Sequence, residues 1–179
     1  MIKTEQVSQK PKLSKLTIIM AGWGAVLLLG GVVNQYASLD IDTTFLLWGG
    51  LTILGVGAQL AGMVKGLGPN LTAWLGVMVL GWAFTFYVFK FDNGSHIDMF
   101  GDLAGVWLIL LGIGYIATAF QVDKRFFAFA GLHIGVGVLL ELSARQVITL
   151  EVLNSNAALI FGLVAGIPLM IAAAVSSRW

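Results

Sequence analysis

The sequence predicts an all-α, polytopic membrane protein: six transmembrane helices as three tandem antiparallel hairpins, with both termini cytoplasmic. Three observations predict it. Six stretches contain no Asp, Glu, Lys or Arg, the charges between them fall alternately basic and acidic, and 58% of the 179 residues are hydrophobic while 11% are charged. That composition exceeds what a soluble domain of this size hides in one core. A hydrocarbon core about 30 Å thick is crossed by roughly 20 apolar helical residues at about 1.5 Å each, so the charge-free stretches read as spans.

Met1 to Lys15 reads as a cytoplasmic basic N-terminal segment, and residues 16–179 as a single six-helix transmembrane domain. The segment is built like the n-region of a signal peptide, but 24 apolar residues, Leu16 to Leu39, follow it without a small-x-small cleavage site. The first helix is therefore expected to be retained. The second stretch, Thr43 to Val64 (22 residues), starts beside Asp40, Asp42 and Thr43; acids there complement the helix dipole and its free amides. The third, Gly66 to Phe89 (24 residues), has Asn70 after Pro69 as its expected cap, and the fourth, Leu103 to Val122 (20 residues), follows Asp98 and Asp102. The fifth, Phe126 to Leu140, has only 15 residues. It either admits Glu141 to the outer interface or is flanked by snorkelling Lys124 and Arg125; a re-entrant segment in its place leaves five spans. The sixth, Val152 to Ser177 (26 residues), has Asn154, Ser155 and Asn156 as its expected caps.

Charge sets the orientation. With the N-terminus inside, the inner side receives Lys3, Lys10, Lys12, Lys15, Lys65, Lys124, Arg125 and Arg178, and the outer side only Lys90 and Arg145. Such a bias marks the cytoplasmic face and places the chain in a plasma (inner) membrane. Tyr36, Trp48 and Tyr87 fall toward outer ends and Trp23, Trp74 and Trp179 toward inner ends, as an aromatic belt requires, while Trp82 and Trp107 are expected between helices.

A shift of 51 residues places Trp23 on Trp74, Gly30 on Gly81 and Tyr36 on Tyr87; a shift of 57 places Leu51 on Leu108, Leu54 on Leu111, Gly55 on Gly112 and Gly57 on Gly114. This suggests a two-helix unit repeated in parallel, against the alternative that Gly and Leu align by chance. Glycines four apart, Gly62 and Gly66, Gly101 and Gly105, Gly131 and Gly135, Gly162 and Gly166, make smooth stripes on which another helix can approach closely. The stripes serve either packing within the chain or a homo-oligomer face.

Polar residues at membrane depth are where function is sought first. Gln59, Tyr115, His133 and Glu141 are the path-lining or proton-responsive candidates. His133 titrates near neutral pH, with Glu141 two turns further out as a partner; the plainer alternative is a neutral histidine bonded to a neighbouring helix. Glu141 and Arg145, at i and i+4, suit an interfacial ion pair. Asp92, His96, Asp98 and Asp102 gather around an outer loop, where solvated caps explain them as well as a weak cation site does.

No catalytic, cofactor-binding or metal site emerges. Zero cysteines exclude disulfides, thiolate nucleophiles and sulfur-ligated metals. There is no P-loop, nucleophile elbow or zinc-protease helix, and His96 and His133 are a poor basis for an axial haem pair. The basic N-terminus suits anionic lipid headgroups; nucleic acid is not implied.

The phrase Gly105 to Gly114, with second helices running through small residues to basic ends (Ala117 to Arg125, Ala172 to Arg178), resembles the HdeD family of bacterial acid-resistance membrane proteins. The prolines usual in the outer turns of that family are absent here, since this chain has Pro11, Pro69 and Pro168. The resemblance implies no catalytic residues and at most a role in envelope stress tolerance. Three functions are therefore expected in turn: a non-enzymatic membrane protein supporting envelope or acid tolerance; a small transporter or proton or ion channel with His133 and Glu141 on its path; and an accessory subunit of a larger membrane complex. The expected partners are the lipid bilayer and a homo-oligomer or membrane-complex partner.

Overall fold

In lipid a backbone must satisfy its own amides and carbonyls, and a helix does so within one segment. The computed structural model describes residues 15–37, 39–61, 68–91 and 99–176, and among these it is all-helical. The elements are α1 (Lys15–Tyr36), α2 (Ile41–Ala61), α3 (Gly68–Phe91), α4 (Met99–Gln121), α5 (Phe126–Ala144), α6 (Glu151–Ser155) and α7 (Ala157–Ser176). Five of them, α1, α3, α4, α5 and α7, are long and apolar enough to cross a membrane, which is the architecture of a multi-pass integral membrane protein.

The helix boundaries follow local chemistry. Asp40 Oδ1 accepts the Thr43 amide at 2.7 Å and caps α2. α3 begins at Gly68, so Pro69 sits in the first turn, where its missing N–H costs nothing, and Asn70 lies inside the helix rather than at its cap. α5 continues to Ala144 and takes Glu141 into its outer end. It closes with Gln146 in the left-handed region at φ 56°. That turn lets the Val147 amide reach back to the Leu142 carbonyl at 2.9 Å, as in a Schellman motif without its usual glycine.

The sixth apolar stretch is not one helix. It breaks at Asn156, whose side-chain amide turns back to the Val152 carbonyl at 2.9 Å, a local bond that competes with helix continuation. The expected caps are replaced by a residue from another helix. Gln35 of α1 donates to the Ser155 carbonyl at 2.8 Å and accepts the Leu159 amide, in the first turn of α7, at 3.4 Å.

Two helix pairs form the tightest seams: α1 with α7, and α4 with α5. Glycine makes each possible. A Cβ on Gly166 would lie 2.6 Å from the Gly24 carbonyl oxygen, one on Gly162 3.0 Å from Gly31 Cα, and one on Gly137 2.8 Å from the Gly105 carbonyl oxygen. Contacts run in opposite chain order (Gly24 to Gly166, Gly31 to Gly162; Gly105 to Gly137, Gly112 to Ala130), so both pairs are antiparallel. Gly101 is buried in α4. Gly131 and Gly135 do not pack within the chain: a Cβ at either meets nothing within 4 Å, because α5 turns its other face, through Ala130, His133 and Gly137, to α4. Gly62 and Gly66 lie outside the described residues.

A second device joins α1 to α2 and α3 to α4: each tryptophan lies on a glycine of the other helix, and the arrangement is reciprocal. Trp23 covers Gly55 while Trp48 covers Gly30; Trp74 covers Gly114 while Trp107 covers Gly81. In α3 and α4 the indole N–H groups are satisfied by the threonine one turn beyond the covered glycine. Trp74 Nε1 donates to Thr118 Oγ1 at 3.0 Å and Trp107 Nε1 to Thr85 Oγ1 at 2.9 Å. Those hydroxyls pass the bond on to the Gly114 and Gly81 carbonyls. In these contacts Trp48 and Gly55 of α2 take the places that Trp107 and Gly114 take in α4. Trp82 and Trp107, expected between helices, meet edge to face at 6.2 Å.

Candidate functional site

Among the described residues, the α4–α5 seam holds Asp102, Tyr115, His133 and Ser143, all buried. Deep in it, the seam faces of the two helices bring Tyr115 and His133 together, 2% and 0% exposed, with ring centroids 4.8 Å apart. Aromatic rings enclose the pair: Tyr115 stacks on Phe126 at 6.0 Å and meets Phe129 at 5.8 Å and Trp74 at 5.3 Å edge to face. His133 Nδ1 lies 2.7 Å from the Phe129 carbonyl oxygen one turn back. A carbonyl only accepts, so Nδ1 carries the proton and Nε2 presents a lone pair in the neutral ring. Its partner is thus its own helix rather than a neighbour. Neither His133 Nε2 nor the Tyr115 hydroxyl has a hydrogen-bond partner among the described residues. The two heads therefore amount to one acceptor and one donor–acceptor inside an aromatic surround.

Glu141 does not join them. Between His133 and Glu141 the seam is filled by the Gly105–Gly137 contact and by Leu108 and Leu140, both 0% exposed. Glu141 belongs to a separate cluster at the far end of the seam. Arg145 Nε donates to Glu141 Oε2 at 2.8 Å, the i,i+4 pair the spacing predicts. The same guanidinium places Nη2 3.0 Å from Asp102 Oδ1 on α4. Sequence reasoning missed this second contact and grouped Asp102 with solvated loop acids, whereas it is 2% exposed. Gly105 makes the cluster possible, since a Cβ there would fall 2.9 Å from Glu141 Cγ. Asp92, His96 and Asp98 lie outside the described residues, as does the side chain of Gln59, whose backbone is in α2.

Outside the helices, the Arg125 side chain beside Asp123 donates to both its carboxylate oxygens, at 2.6 Å for the shortest bond, and holds the carboxyl down at about 2. Bonds from Thr43 lower the Asp40 carboxyl below its ordinary value. Among the described residues, no three acidic or histidine side chains are grouped to hold a metal ion. Compared with protein-family models, curated proteins and solved structures, the chain matches none.

Proposed function

We propose that this chain is a six-span protein of the plasma (inner) membrane, with both termini cytoplasmic and α2 as the sixth span. Its role is non-enzymatic support of envelope integrity or acid tolerance. α2 is 21 residues long, about 32 Å at 1.5 Å per residue and so long enough to cross. The single observation that carries the non-transporting role is the filled seam: glycine backbone contact and two wholly buried leucines separate His133 from Glu141. Tight van der Waals contact of this kind holds helices in lipid and leaves the seam a packed joint. The acid-tolerance part rests on the resemblance to the HdeD family and on the carboxylates at the outer end of the same seam. Growth and survival of a deletion strain at low and at neutral external pH test it, with a loss at low pH expected. Equal behaviour at both would overturn it.

The second reading, a small transporter or proton or ion channel, is favoured by one observation, the adjacent heads of Tyr115 and His133, which have no hydrogen-bond partner among the described residues. It requires flux through proteoliposomes that His133→Ala abolishes, whereas a structural protein has no flux to lose. The third reading, an accessory subunit, requires partners that co-purify after mild detergent extraction.

A further inference from the structure

The outer end of the α4–α5 seam is held by an unequal set of charges. Asp102 sits in the first turn of α4, and Glu141 and Arg145 in and just after the last turn of α5. Their side chains are 3%, 15% and 50% exposed. One guanidinium thus faces two carboxylates, and the cluster carries one surplus negative charge. Glu141 Oε1 and Asp102 Oδ1 are both buried without a hydrogen-bond partner among the described residues. Among the described residues, few other groups can compensate the surplus charge. Lys90 of α3 and Glu151 of α6 are exposed, and α7 contains no Asp, Glu, Lys, Arg or His. Ser143 and Asn154, the neutral polar neighbours, are engaged with the Leu150 and Ser143 carbonyls. His133 lies two turns deeper on α5.

We infer that Asp102, Glu141 and Arg145 form an acid-strengthened clamp between α4 and α5. One proton taken from outside by the carboxyl pair brings the cluster from a net charge of −1 to zero. The like-charge repulsion between the two acids disappears, while one carboxylate still opposes the guanidinium. Only a second proton leaves Arg145 without a counter-charge. The clamp therefore tightens in moderate acid and opens in strong acid, which explains why two acids are set against one base. This deepens the acid-tolerance reading and rests on its orientation, with the start of α4 outside.

The natural chain has no cysteine, so spin labels on Met99→Cys and Val147→Cys report the α4–α5 outer end alone. In nanodiscs, the label-to-label distance distribution is expected to narrow between about pH 7.5 and about pH 4, a range whose acid end reaches ordinary carboxylate titration. Glu141→Gln removes the surplus charge and should be narrow throughout, losing the pH response. Arg145→Gln leaves two buried carboxylates unopposed and should be broad near neutrality and narrow on acidification. A natural-chain distribution that is constant or broadens over this range would overturn the clamp, as would a Glu141→Gln variant that keeps the natural response. A deletion strain indifferent to acid would instead overturn the physiological role and leave the clamp standing.

Discussion

Replacing Gly166 by alanine should damage the protein, and the same change at Gly135 should not. At Gly166 the new Cβ lies 2.6 Å from the Gly24 carbonyl oxygen, 2.8 Å from Leu28 Cβ and 2.9 Å from Leu28 N. Ordinary carbon–oxygen contact begins near 3.3 Å, so α1 and α7 must separate by roughly 0.7 Å. A gap of about 0.5–1 Å forfeits a quarter to a half of each dispersion contact it opens. Overpacking of this kind costs about 1–3 kcal/mol, against up to about 1 kcal/mol gained in helix propensity. Because the new Cβ meets backbone atoms that cannot swing aside, the cost lies at about 2–3 kcal/mol and the net loss is on the order of 1–2 kcal/mol, or about 2–8 °C in Tm for a chain of this length. At Gly135 the added methyl meets nothing within 4 Å, so only the propensity gain remains and Tm should hold or rise. Thermal unfolding of both variants in detergent, followed by tryptophan fluorescence, measures this. Equal loss at the two positions, or an unchanged Tm for Gly166→Ala, would refute the seam as drawn.

Trp107→Phe keeps a ring over Gly81 but loses the indole bond to Thr85, so it should cost about 0.5–1 kcal/mol in a melt. Trp107→Ala should cost about 3–5 kcal/mol by leaving a cavity, and a Phe variant as damaged as the Ala variant would count against the ring-on-glycine contact. Gln146→Gly relieves a left-handed backbone at φ 56° and should stabilise by about 1 kcal/mol; a lower Tm would show that the Gln146 side chain matters instead. Asp123 should stay ionised until pH falls to about 2. Because its carboxyl is depressed in the folded chain, whatever the pair with Arg125 contributes is present above the ordinary carboxylate range and lost as pH falls through that value. Carboxyl NMR of Asp123 tests this, and a midpoint near 4 would show the pair unformed in solution.

Local regularities were legible in the chain itself. Asp40 caps α2 and Glu141 meets Arg145 one turn away. The tryptophan-on-glycine contacts were also written in the sequence, though the Gly-on-Gly alignment obscured them. Trp23, Trp48, Trp74 and Trp107 are each followed seven residues later by Gly, and four beyond that by Asn34, Gln59, Thr85 or Thr118. Seven residues are two helical turns, which places tryptophan and glycine on one face. What could not be read was the partner across a seam. Gly131–Gly135 and Gly162–Gly166 share one spacing, yet only the second is covered.

The sequence by itself determined that the chain is a set of apolar helices separated by charged turns, because hydrocarbon admits a backbone only when it is hydrogen-bonded within its own segment. The tertiary structure alone decided that Arg145 reaches Asp102 as well as Glu141, that His133 meets Tyr115 instead of Glu141, and that Gln35 completes the start of α7. These contacts join residues distant in the chain. They depend on how each helix is rotated about its axis, and helices apolar on every side carry almost no amphipathic signal of that rotation.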